Sequence, residues 1–160
     1  MPKSLIGLGA NLSHRVTVLR TVIERLSTLP GVIICGLSQV YETQPIGGPS
    51  GQNAFLNAAV LIDSHYDPIG LLLLLKKLET SCGRITGARW GPRSVDLDLL
   101  LHGDLSTVSS ELILPHPRMA FRRFALQPAC DVASDMIHPT TGQTLEQLLE
   151  HLDKTENYIV

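Results

Sequence analysis

Val95-Asp96-Leu97-Asp98-Leu99-Leu100-Leu101 is the stretch on which the fold turns. Apolar and acidic residues alternate strictly from Val95 to Leu99, the period of a strand with one face in a core. Leu97 and Leu99 then point inward, and Asp96 and Asp98 share the other face, with Cα atoms roughly 6.5 Å apart. His102-Gly103-Asp104 ends the strand in a turn. Just before it, Gly83 to Ser94 reads as a loop. Further back, Asp67-Pro68 is an N-cap followed by proline at the first helical position, and the leucine-rich run to Leu78 is a helix with a buried face. Phe55 to Asp63 reads as a strand, and Glu42 to Asn53, with two prolines and three glycines, as a loop. Val32 to Tyr41 is a strand rich in β-branched residues. Ahead of Pro30-Gly31, Val16, Leu19, Ile23 and Leu26 recur at helical spacing. Ser4 to Ala10 is a first strand running into a turn. The order β-α-β-β-α-β is the ferredoxin-like split unit of the α+β class, an antiparallel sheet with helices on one face. Beyond it, Pro115, Pro117, Pro128 and Pro139 punctuate an irregular pattern. Thr144 and Gln147 have the capping-box spacing that opens a last helix, with Leu145, Leu148, Leu149 and Leu152 on one side. The expectation is one domain over residues 1–160: a ferredoxin-like βαββαβ core, a mostly antiparallel sheet flanked by helices, with C-terminal decoration.

Composition narrows the function. At 160 residues the chain has room for one domain with a real core. It is 44% hydrophobic and 18% charged, an ordinary globular balance. A net charge of −2 supplies no basic field to draw the chain to nucleic acid. The five leucines Leu71 to Leu75 fall far short of the ~20 apolar residues of a membrane span. The N-terminus lacks the apolar stretch of a signal peptide, so a cytoplasmic location is expected. Cys35, Cys82 and Cys130 are odd in number and scattered, which reads as buried free thiols in a reducing compartment.

Two carboxylates side by side repel and call for a cation; hard oxygen ligands without His or Cys suit Mg²⁺. The plainer alternative is the solvent face of an amphipathic strand. The neighbourhood favours the metal. Arg84 to Arg93 holds three Arg and no acid, and Arg118, Arg122 and Arg123 follow His116, so six of the thirteen basic residues sit in two short segments. Guanidinium forks grip phosphate oxygens, and Arg beside a carboxylate-held metal is the complement of a polyphosphate. Local pairing of those Arg with Asp96, Asp98, Asp104 and Glu111 is the alternative. No GxxxxGK[ST] loop and no GxGxxG fingerprint occurs, so a nucleotide would be held by metal and side chains. His116, fixed between Pro115 and Pro117, could donate to a phosphate, or be structural. Phe55, Asn57 and Phe124 could form a flat slot with one polar reader, or be core.

These residues belong to a longer pattern. Gly7-Leu8-Gly9-Ala10-Asn11-Leu12, Tyr41-Glu42-Thr43, Phe55-Leu56-Asn57-Ala58, the run Arg89-Trp90-Gly91-Pro92-Arg93-Ser94-Val95-Asp96-Leu97-Asp98-Leu99 and Leu114-Pro115-His116-Pro117-Arg118-Met119 follow in order, then Arg122 and Phe124. In this the chain resembles the 6-hydroxymethyl-7,8-dihydropterin pyrophosphokinases of folate biosynthesis, over almost its whole length. The resemblance implies transfer of the terminal diphosphate of ATP to the hydroxymethyl oxygen of the dihydropterin, giving AMP. It implies two Mg²⁺ ions on Asp96 and Asp98, and catalytic roles for Arg84 and Arg93 beside these two. It implies nucleotide contacts from Glu79, Arg84, Trp90, Arg93, Ile113, His116, Arg118 and Arg122. It implies a pterin stacked between Phe55 and Phe124, read at its edge by Asn57 and by the backbone from Thr43 through Pro45 to Ile46. ATP and the pterin are the expected partners, without nucleic acid or membrane, and the protein is expected to be a monomer.

Departures from the family pattern fall outside the two Asp, the aromatic pair and His116. Thr86 stands where relatives often carry Arg, Lys76 and Ile113 where some have polar residues near the nucleotide, and Gly47-Gly48-Pro49 alters the first loop. Two rivals share the topology or the Asp pair. An RNA-binding module would need sheet-face aromatics and a basic domain, but aromatics are 4% and net charge is negative. A nucleotide sensor or metal phosphohydrolase would bind or hydrolyse ATP without pterin.

Overall fold

Gly7 and Gly9 interrupt the apolar run from Leu5 to Ala10 in the strand Lys3–Ala10 (β1), which lies at the centre of the sheet. The computed structural model describes residues 2–11, 15–43, 54–83 and 95–156. β1 pairs antiparallel with Phe55–Ser64 (β4) on one edge and with Val95–His102 (β5) on the other. The outer edge of β4 is shared by Val32–Leu37 (β2) and Tyr41–Thr43 (β3). The path β2-β4-β1-β5 is the ferredoxin-like order anticipated from the sequence.

The strand expected from Val32 to Tyr41 is two strands. Ser38 makes the break: its N–H donates to Ala59 O at 2.9 Å, its hydroxyl accepts from Ala59 N–H at 2.7 Å and donates to Gln39 O at 2.7 Å. A side chain thus takes over one ladder bond, and the chain realigns before β3. The loop expected from Glu42 starts later, since pairing with β4 runs through Thr43.

Arg15–Thr28 (α1) and Pro68–Gly83 (α2) pack on one sheet face. Asp67 caps α2 through Oδ1 to Gly70 N–H at 2.9 Å, which satisfies one of the orphan donors of the first turn. The buried stripe of α1 is Val18, Leu19, Val22 and Leu26; Val16, expected on it, is 59% exposed in the first turn. With Ile6, Leu8, Ala10, Leu56, Ala58, Val60, Ile62, Val95, Leu97 and Leu99 these helices form the larger core.

The segment read as decoration supplies the second layer. A small hairpin, Thr107–Val108 (β6) and Ile113–Leu114 (β7), precedes a 3₁₀ turn at Met119–Phe121, then Arg123–Ala133 (α3) and Leu145–Glu156 (α4). Met119, Leu126, Ala129, Ala133, Leu145 and Leu148 cover Leu5, Ala59, Leu61, Leu100 and Leu101 on the other sheet face. The reciprocal capping box of α4 is present: Gln147 N–H donates to Thr144 Oγ1 at 3.1 Å and Thr144 N–H to Gln147 Oε1 at 2.9 Å. α3 is the element that sequence reading missed. Pro128 lies inside it, where it forfeits one backbone bond but is itself buried against the core. The cysteines are free; Cys82 is buried, Cys130 half-buried, and Cys35, expected inside, is exposed on the edge strand β2.

Candidate active site

Register on the second sheet face assembles the site. Tyr41, Asn57, Gly9 and Asp96 lie in one row across β3, β4, β1 and β5; Ala59, Gly7 and Asp98 lie in the next. Paired residues share a face, so Asn57 and the two carboxylates open onto the same surface with only glycine between them. A Cβ on Gly9 would stand 3.5 Å from Asn57 Oδ1, and one on Gly7 would press within 3.2 Å of Leu100 Cδ1. The two glycines leave bare backbone as a floor. Asp96 is exposed and Asp98 half-buried, while Val95, Leu97 and Leu99, which alternate with them, are buried under α2.

Strict alternation stops at Leu100. The register of β5 against β1 slips between Leu5 and Ile6, so Leu100 and Leu101 both turn toward α3 and α4. The bulged residue's carbonyl accepts His116 N–H at 2.9 Å. That bond brings the segment after β7 alongside β5, next to Asp98. Desolvation lowers the His116 pKa; Asp98 opposes this, and Arg122 and Arg118 reinforce it. The ring is therefore neutral at neutral pH. Its Nδ1 accepts Arg118 N–H at 3.3 Å, which leaves Nε2 to carry the proton and donate.

Asn57 is buried and its Nδ2 donates to Thr43 Oγ1 at 2.8 Å, which orients the amide oxygen toward the Gly9 floor. Besides the backbone expected of it, Thr43 offers a side chain that holds Asn57. Phe55 opens β4 and Phe124 lies in the first turn of α3; the two elements pack together and both residues are half-buried. The Arg122 guanidinium lies over the Phe124 ring, 5.4 Å from its centroid. Arg123 turns away to pair with Asp153 and Gln127, and Arg118 is exposed.

A cleft of about 260 Å³ adjoins Asp98 along the outer edge of β5. Asp98, Ile113 and His116 line it together with Leu72, Lys76 and Leu99. Glu79 does not line it. The Glu79 side chain, 9% exposed, accepts Leu97 N–H at 2.8 Å and the Lys76 ammonium at 3.2 Å. Pro45, Ile46, Arg84, Trp90 and Arg93, and with them Thr86 and the Gly47–Pro49 stretch, lie outside the described residues. Three features escaped the sequence reading: the glycine floor, the bulge and the Glu79 bond. The run Leu99-Leu100-Leu101, which breaks the alternation, was the available sign of the bulge.

Among the described residues, no cluster of three His, Cys, Asp or Glu could hold a metal on its own. A pair of carboxylates over an open floor fits a hard cation that keeps water and phosphate oxygens as its other ligands, the habit of Mg²⁺. Among the described residues no helix is long and apolar enough to cross a membrane.

The sequence model of the 7,8-dihydro-6-hydroxymethylpterin-pyrophosphokinase family matches residues 5–134. The chain belongs to this family. A 2-amino-4-hydroxy-6-hydroxymethyldihydropteridine pyrophosphokinase of Methylorubrum extorquens is 35% identical over 153 residues, 96% of this chain and 95% of that protein. One from Bacillus subtilis is 37% identical over 142 residues, 89% of this chain and 84% of that protein. The fold is shared with the wild-type Plasmodium falciparum HPPK-DHPS solved with SDX-DHP: TM-score 0.75 at 13% identity, over 99% of this chain but 45% of that longer one. The family match spans β1 through α3, so every described candidate site residue lies inside it.

Proposed function

We propose that the second sheet face of this pyrophosphokinase is its reaction surface, with ATP entering along β5 and the pterin lying over β1 and β4. As a member of its family the chain transfers diphosphate from ATP to the hydroxymethyl group of 6-hydroxymethyl-7,8-dihydropterin. The observation that carries the assignment of parts is the row Asn57–Gly9–Asp96. It puts the Asn57 amide and a carboxylate on one surface with nothing taller than a hydrogen atom between them.

The flat pterin stacks between Phe55 and Phe124, where aromatic faces give large contact area. Asn57 Oδ1, held by Thr43, accepts from the N–H groups of the ring edge. The cleft beside Leu99 and Ile113 takes the purine, whose triphosphate then runs toward Asp98 and His116. Neutral His116 donates from Nε2 to a phosphate oxygen, and Arg122 adds a fixed positive charge. Asp96 and Asp98 would hold Mg²⁺, two ions in this reading, which when bound neutralises polyphosphate charge. Arg84, Arg93 and Trp90 complete the nucleotide side in the same reading. Phosphoryl transfer asks mainly for in-line positioning and charge neutralisation, and these parts supply both.

The test is product analysis with ATP, Mg²⁺ and the hydroxymethyl dihydropterin. AMP should form in step with pterin diphosphate and only when pterin is present. ADP as the product, or phosphate release without pterin, would replace this reading with a kinase or a phosphohydrolase.

A further inference from the structure

β5 is an edge strand. β1 pairs with one side of it, and among the described residues the amides on its other side meet no strand. Antiparallel geometry decides which amides those are. Residues opposite one another alternate between pairs that exchange both backbone bonds and pairs that exchange none. Leu97 N–H points away from β1, because it donates to Glu79. Leu97–Leu8 is then a pair without ladder bonds, and the flanking Asp96–Gly9 and Asp98–Gly7 pairs are the bonded ones. The peptide between the two carboxylates is therefore held from both sides, by β1 through Asp96 and Asp98 and by α2 through Glu79.

The anchor is built for rigidity. Glu79 Oε1 meets Leu97 N–H at 2.8 Å from a side chain that is 9% exposed. Lys76, one turn earlier on α2, grips the same carboxylate at 3.2 and 3.4 Å, which offsets its charge. A carboxylate acceptor makes a stronger, shorter bond than a neutral one. The site needs such an anchor because both carboxylates sit on an edge strand, which β1 holds from one side only among the described residues. Three residues further along the same edge, His116 N–H binds Leu100 O. The free edge is thus fastened on both sides of Asp98.

We propose that Glu79 is a positioning residue for the carboxylate pair: it fixes the peptide between Asp96 and Asp98, so that both side chains meet the metal and phosphates in one geometry, and acts on ATP only through them. The proposal rests on the reading of Asp96 and Asp98 as metal ligands. A positioning role separates binding from turnover. Ligand-orienting groups behind a metal site typically contribute 10–100-fold.

The experiment compares Glu79→Ala, Glu79→Gln and Asp98→Ala, with melting curves to establish that each is folded. It reads kcat, KM for ATP and for pterin, the Mg²⁺ concentration at half-maximal rate, and hydrogen exchange at the Leu97 amide. Glu79→Ala should lower kcat roughly 10–100-fold, raise the Mg²⁺ requirement, leave the pterin KM within about twofold, and lose protection at Leu97. Glu79→Gln keeps an acceptor oxygen and should restore protection and most of kcat. Equal damage in both variants, with a raised ATP KM and unchanged Leu97 exchange, would make Glu79 a direct nucleotide ligand and overturn the proposal. Wild-type kinetics in Glu79→Ala beside an inactive Asp98→Ala would overturn it alone. Full activity in Asp98→Ala with unchanged Mg²⁺ dependence would fail the metal-ligand reading, and the positioning role with it.

Discussion

The two faces of the five-stranded sheet follow different rules. Under α1 and α2, β1, β4 and β5 offer an apolar block of Ile6, Leu8, Ala10, Leu56, Ala58, Val60, Ile62, Val95, Leu97 and Leu99, with Ser4, Ser64 and His102 buried at one end of it. The opposite face is divided. Its His102 end, with Leu5, Leu61, Leu100 and Leu101, is a second core under α3 and α4. Its other end has Gly7, Gly9, Asn57, Asp96 and Asp98, two absences and three polar groups. The difference teaches how a small domain makes room for chemistry. One face alone anchors the sheet, so half of the other can be spent on a repulsive carboxylate pair and an open floor. The bulge at Leu100 marks the frontier: it turns Leu101 toward the second core, and its carbonyl fastens His116 at the edge of the site.

Substitutions one register step apart on the neighbouring strands β1 and β5 should therefore have opposite phenotypes. Asp98→Ala should cut turnover roughly 10³-fold, because a charge-stabilising group at the transferring phosphates is lost. Its melting temperature should hold or rise, since removing one of two like charges relieves repulsion. Leu8→Ala, between Gly7 and Gly9 but facing the other way and 3% exposed, should cost about 2–5 kcal/mol of stability. The KM values of its folded fraction should stay near wild type. Denaturant titration and steady-state kinetics on both variants check this. A destabilised Asp98→Ala or a catalytically crippled but stable Leu8→Ala would erase the distinction between the faces.

Legibility in the sequence followed the same division. The α1/α2 face was readable because its signals are local: alternation in β5, the Asp67-Pro68 cap, the leucines of α2. The carboxylate pair was readable because both members sit on one strand. α3 was not, because Pro128 breaks the local helical signal while its burial supports the tertiary structure. The glycine floor was not, because Gly9 acquires its meaning only from Asn57 and Asp96 on neighbouring strands. The same holds for Glu79 and Leu97, eighteen residues apart and joined only by the packing of α2 on β5. Val16 missed its stripe because a three–four spacing fits more than one rotation of a short helix, and the packing of α1 on β1, β2 and α2 chooses which one is buried.

Acid should sort the faces as well. His102 lies on the α1/α2 side, opposite Ser4 and 7% exposed, with Nδ1 and Ser4 Oγ 2.8 Å apart. Burial lowers its pKa below 6.5, with Asp67 in partial opposition. His138 is 5% exposed; burial lowers its pKa too, and its Nδ1 accepts Thr141 N–H at 3.3 Å, a bond that protonation would break. Both groups bind a proton more readily when unfolded. Between the folded pKa and 6.5 the unfolded chain holds protons that the native one does not, so stability is complete above 6.5 and falls as pH drops through it. Each histidine contributes a slope of at most about 1.4 kcal/mol per pH unit. His116 adds a third contribution of the same sign in the free protein, since its pKa is lowered as well. Polyphosphate should treat the three differently. A phosphate oxygen that accepts from His116 favours its charged form, raises its pKa and cancels its share of the acid sensitivity, while His102, on the α1/α2 side, and His138, beyond the C-terminal end of α3, keep theirs. Urea midpoints between pH 7.5 and 5.5, with and without a non-hydrolysable ATP analogue and Mg²⁺, should therefore show a steeper loss without ligand. His116→Gln should remove the ligand-dependent part and His138→Gln the ligand-independent part. A slope that ligand leaves unchanged would mean that His116 does not meet the phosphates, and would move it from the reaction surface to the scaffold beside it.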